Sequence, residues 1–148
     1  MKRFLPAVLA FLVAAASAGA VAAISPSLVA FTPDNLHWVA GTGPAKGLST
    51  ATMFGDPAKS QPAVIRVKMP SGYTNAPHYH AQTEFITVLQ GTLLFGTGDK
   101  VDKSTAKTYP AGSFVAVPAG VHHWSIAQGE TIEQVSGQGP LNNIPVKH

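Results

Sequence analysis

The chain has 148 residues, a formal net charge of +3 and no cysteine. That length gives one domain rather than two, and the missing thiols exclude disulfides, thiolate nucleophiles and thiolate metal ligands. The basic balance does not point to nucleic acid. With Lys2 and Arg3 set aside as part of an N-terminal targeting segment, ten Lys/Arg become eight against seven Asp/Glu. These charges are scattered, and the one weak basic patch, Lys100–Lys107, also holds Asp102.

Residues 1–23 read as a signal peptide. Lys2 and Arg3 make a positive start, Phe4 to Ala16 is apolar, and Ala18-Gly19-Ala20 and Ala20-Val21-Ala22 both fit an A-x-A cleavage pattern. The alternative is an uncleaved anchor, because Phe4 to Ile24 is almost wholly apolar and just long enough to span a bilayer. The Ala-rich end and the short Leu/Phe/Val centre favour cleavage, which places the mature protein in the periplasm or outside the cell. The remaining domain, 24–148, has about 125 residues and can bury roughly two thirds of the surface its unfolded chain exposes.

The mature region reads as many short strands. Ile24 to Asp34 carries two prolines and is an irregular lead-in. Leu36–Ala40 and Leu48–Phe54 are short strands, the second closed by the turn Gly55-Asp56-Pro57. In Ala63–Met69, Ile65, Val67 and Met69 alternate with Arg66 and Lys68, as in a strand with one wet face. Glu84–Leu89 is apolar on both parities and is expected to be covered on both sides. Gln90-Gly91 is expected to turn the chain into Thr92–Phe95 as a β-hairpin. Gly96 to Lys107 is polar and turn-rich. Ser113–Val117, Val121–Ala127 and Thr131–Ser136 are further strands, with turns at Pro118-Ala119-Gly120 and Gly129-Glu130. The tail from Gly137 is expected along the surface. No amphipathic helix stands out, and evenly spaced strands with turn chemistry between them argue an all-β sandwich or barrel.

The chemistry concentrates in Gly72–Gly91. His78 and His80 are two apart, and Glu84 follows four residues later with the same parity. On a strand such residues share a face. Two neutral imidazoles and a carboxylate on one face are a metal-binding arrangement, where a purely hydrogen-bonded cluster would need a partner for the carboxylate. Elsewhere only His122 and His123 are adjacent histidines, and by alternation they point to opposite faces. Tyr79, between the first two histidines, should face away from them. His37 is expected to be packed beside Trp38. Trp124, Phe85, Phe95 and Phe114 are read as core or dimer-interface residues, and Met53 and Met69 as core fillers.

Two stretches together resemble the two motifs of the cupin superfamily. The first has Gly72, five residues, His78-Tyr79-His80, three residues, Glu84, six residues and Gly91. The second has Gly112, five residues, Pro118-Ala119-Gly120, two residues and His123. The last position of the second motif is usually Asn and here is Ala127, a structural rather than a ligand position. The resemblance implies a cupin barrel (a double-stranded β-helix or jelly roll), often dimeric, that holds one divalent metal through His78, His80, Glu84 and His123. It is similar in scale to the small cupin domains of anti-sigma factors.

Three imidazoles and one carboxylate suit Fe(II), Mn, Ni, Co or Zn. Such an ion would retain positive charge and favour a small anionic or enolisable ligand. No nucleophile–base pair and no organic-cofactor motif is visible, so any chemistry leans on the metal. The expected function is an exported metal-dependent oxidoreductase of dioxygenase type, with isomerase or lyase activity as variants. The alternative is a non-catalytic module that binds or senses a metal or small ligand. Fold alone does not separate them.

Overall fold

A computed structural model describes residues 27–147. The signal peptide expected over 1–23, and the terminal His148, lie outside the described residues. No helix among those described is long and apolar enough to cross a membrane.

Nine strands make one curled antiparallel sheet. They are β1 (Val39–Ala40), β2 (Ser49–Phe54), β3 (Pro62–Met69), β4 (Thr74–Tyr79), β5 (Glu84–Thr97), β6 (Lys107–Pro110), β7 (Phe114–Val117), β8 (His123–Gln138) and β9 (Ile144–Pro145). Two strands, β5 and β8, are far longer than the rest and pair with each other along their whole length. Their Glu84–Gln90 and Ile132–Gln138 halves join β1, β2, β3 and β7 into one wall. Their Thr92–Thr97 and His123–Gln128 halves join β4, β6 and β9 into the other. The result is the all-β barrel that the strand pattern predicts.

The crease between the walls corrects two sequence expectations. Gln90-Gly91 is not a hairpin and Gly129-Glu130 is not a turn between separate strands, because β5 and β8 each run straight through. The register instead slips between Val88 and Gln90 and again between Gln90 and Thr92, the signature of bulges that bend a ladder without ending it. Gly91 has φ +73, and a Cβ there would stand 2.3 Å from the Glu130 carbonyl oxygen. Positive φ suits a two-residue turn and a bulge equally, so the sequence signal was real but ambiguous. The fully buried Thr131 braces the crease, its hydroxyl donating to the Thr92 carbonyl at 3.0 Å.

Inside lie Val67, Met69, Ile86, Val88, Leu93, Phe95, Val117, Ala127 and Val135. Trp124 is wholly buried, its ring where a Cβ on Gly96 would be, 2.3 Å away. Ala127 exchanges backbone bonds with Gly72 and Tyr73, which ties the start of the first motif to the end of the second.

Other segments also differ from expectation. Of Leu36–Ala40 only Val39–Ala40 pairs, and His37 is exposed rather than packed; beside it Lys68 Nζ sits 4.6 Å from the Trp38 ring centre. Of the two readings of Phe85 and Phe114, core or interface, the core one falls: they stack on each other on the outside of the barrel. Met69 fills the core but Met53 is only half-buried. The polar run ends in an unexpected strand, β6, at Lys107–Pro110. The tail is more than surface, since β9 pairs with β4 opposite His78 and Tyr79.

Candidate metal centre

Three strand ends meet at one mouth of the barrel. His78 is the next-to-last residue of β4, His80 lies just past its end, Glu84 opens β5 and His123 opens β8. His78 and His123 are direct cross-strand partners, so their side chains leave the same face. The Gly120 amide donates to the His80 carbonyl at 2.9 Å, holding the Pro118–Gly120 turn against the first motif. All four side chains are buried.

Each imidazole is oriented from behind. The Nδ1 of His78 lies 2.7 Å from the Ala76 carbonyl, that of His80 3.0 Å from the Asn142 carbonyl, and that of His123 3.0 Å from the Val121 carbonyl. A carbonyl only accepts, so each Nδ1 carries the hydrogen and each Nε2 is left with its lone pair. This is how metal-binding histidines are set up, with the outer nitrogen bonded and the inner one free. One ligand atom from each of the three histidines lies within 4.8 Å of the others. Glu84 Oε2 sits 3.4 Å from His80 Nε2 and 3.3 Å from His123 Nε2. Those separations exceed the about 2.7–2.9 Å of a charge-assisted hydrogen bond. His80 Nε2 and Glu84 Oε2 are both buried without a hydrogen-bond partner. Buried polar atoms are rarely left so, and here the orphaned atoms converge, as the donors of a metal site do.

Comparison with known proteins agrees. A family model described as "Cupin domain" matches residues 65–134. The chain carries a cupin domain. Germin-like protein 5-1 of Oryza sativa subsp. japonica is 37% identical over 70 residues, which are 47% of this chain and 32% of the relative, so the match spans about a third of that protein. Among solved structures, the polyketide cyclase RemF from Streptomyces resistomycificus superimposes with a TM-score of 0.66 at 15% identity, covering 82% of this chain and 87% of that one. A chain of the Rhodobacter sphaeroides complex of SigE with the anti-sigma ChrR gives 0.56 at 17%, covering 72% and 51%. At such identities the likeness is one of fold.

The electrostatics of the cupin site suit cation binding. Burial raises the Glu84 carboxyl, but the imidazoles of His123 and His80, which in their protonated form donate from Nε2 and attract it, outweigh this and hold the group down at about 2. Burial, reinforced by the neighbouring His123, lowers His78 to about 4. Burial also pulls His80 down, yet Glu84 more than offsets this and leaves it above its usual value. Glu84 is therefore ionised and His78 neutral near pH 7, the forms a metal ion requires. Phe95 stacks on His123 with ring centres 5.3 Å apart and fixes it from the core side.

His122 points away, as alternation predicts. Its Nδ1 pairs with Asp99 and its ring lies 4.9 Å from Tyr79, which also faces away from the histidine cluster. Two contributors escaped the sequence. One is the tail, whose Asn142 carbonyl orients His80 and whose Leu141 lines the cavity. The other is Glu133. It sits mid-strand in β8 between Thr131 and Val135 with the buried parity, and opens on the same cavity as His78, His80 and Glu84. That cavity measures about 400 Å³. Burial, and then the negative charge of Glu84, push Glu133 up to about 8. Thr131–Ser136 mixes polar and apolar residues on both parities, so only the pairing of Glu133 with Val67 and Val88 reveals it as inward.

Proposed function

We propose that this chain is an exported cupin that binds one divalent metal ion through His78, His80, Glu84 and His123. It uses the ion in oxidoreductase chemistry of the dioxygenase type on a small anionic or enolisable molecule. The observation that carries the metal reading is the convergence of three Nε2 lone pairs and an unpartnered carboxylate oxygen, each imidazole bonded from behind. Three imidazoles and one carboxylate suit Fe(II), Mn, Ni, Co or Zn. Bound there, the ion would supply Lewis acidity and open positions for a ligand. The chain's own part is to shape the cavity: Leu48, Ile65, Val67, Tyr73 and Val135 give it an apolar wall beside the metal ligands.

Oxygen uptake by the iron-loaded protein against β-diketones, catechols and thiols tests the enzyme reading. Turnover with one class supports it; tight binding without turnover under any of the five metals refutes it. That second result is the signature of a non-catalytic binding or sensing module. The likeness to a chain of the SigE–ChrR complex supports that alternative. Export rests on the N-terminal sequence and is checked by N-terminal sequencing of the native protein. A homodimer is supported by the outer Phe85–Phe114 stack, with Phe54 in the same cross-strand row as Phe85. Sedimentation should show a dimer that Phe114→Ser dissociates; a monomeric wild type contradicts it.

A further inference from the structure

The cavity holds more acid than its metal cluster uses. Among the described residues its walls carry two carboxyls, Glu84 and Glu133, and no lysine or arginine. Glu84 is spoken for by the histidines. Glu133 is not: it is 5% exposed, and its buried Oε2 has no hydrogen-bond partner. A buried carboxyl is normally bonded or paired, and an orphan at a ligand cavity is a place for a ligand's own polar group.

The charge balance says which group. With burial keeping Glu133 protonated near neutral pH, a divalent ion and Glu84 would leave one positive charge at the histidine cluster. A simple anion would balance that charge but would leave Glu133, between walls of Leu48, Ile65, Val67 and Val135, as orphaned as before. A ligand with an anionic end for the metal and a cationic end for Glu133, which gives up its proton to solvent as the cation settles beside it, satisfies both sites and brings the sum to zero. The face of Tyr73, on the same wall, suits a cation as well.

We propose that the cavity takes a small amino-carboxylate zwitterion, its carboxylate at the metal centre and its protonated amine on Glu133. This rests on the metal-centre reading and narrows the ligand class within it. The test is calorimetric titration of the Zn(II)-loaded protein with ω-aminoalkanoates of increasing chain length and with the n-alkanoate of matching length. At least one aminoalkanoate should bind tenfold or more tightly than its alkanoate. Glu133→Gln should bring that ratio close to one while zinc content and alkanoate affinity stay as in wild type; Glu133→Leu serves if the amide variant does not fold. The proposal is overturned if no aminoalkanoate exceeds its alkanoate, or if both variants keep the preference. A wild type that takes up no zinc overturns the metal-centre reading itself, and is told apart by metal content before any ligand is added.

Discussion

Replacing Glu133 by Gln should change how the stability of the metal-free protein depends on pH. Burial and the nearby Glu84 raise the folded-state pKa of Glu133 from 4.5 to about 8. Below the unfolded value both states hold the proton, and the group contributes no pH dependence. Between the two values the unfolded chain releases a proton that the folded chain must keep, so stability falls as pH rises; above the folded value the loss is complete. At about 1.4 kcal/mol per pH unit, a shift of this size costs roughly 5 kcal/mol by the upper end, a large share of the roughly 5–15 kcal/mol that holds a domain together. Gln cannot ionise, so the stability difference between Glu133→Gln and wild type should widen in favour of the variant across that window. Urea unfolding with a chelator present, followed by fluorescence of the buried Trp124, measures it at intervals from about pH 5 to about pH 8. A difference constant to within about 0.5 kcal/mol would refute the placement of Glu133 as a dry, unpaired acid.

Gly91→Ala puts a Cβ 2.3 Å from the Glu130 carbonyl oxygen at a φ of +73, and should destabilise by at least about 2 kcal/mol in thermal or urea unfolding. Ending the chain after Gly139 removes β9 and the carbonyl that holds His80, so metal affinity should fall about 10–100-fold in competition titrations with a chromophoric chelator, even where circular dichroism shows the barrel intact.

The sequence carried the centre further than the frame. His78, His80, Glu84 and His123 could be named because strand alternation and motif spacing are local rules, and the structure brings all four to one mouth of the barrel. What failed was long-range. Gly91 and Gly129 have the positive φ of turn glycines, yet each lies within a strand, because the ladder between β5 and β8 continues on both sides of them. Phe85 and Phe114 have core composition, but their register places them outward with Thr87 and Ala116. Glu133 lies on a strand of mixed parity, and only its partners Val67 and Val88 set its direction. The tail had no strand signal of its own, since β9 is two residues long and one is proline. Its role comes wholly from where the chain returns.

Metal analysis of the protein purified from its native compartment tests the centre most directly. Four ligands converging on one ion predict about one divalent metal per chain, most of it lost in His80→Ala and in His123→Ala, and retained in His122→Ala, whose ring pairs with Asp99 instead. A wild type without stoichiometric metal, or a His123→Ala variant that holds it as well as wild type does, would contradict a metal centre built from His78, His80, Glu84 and His123.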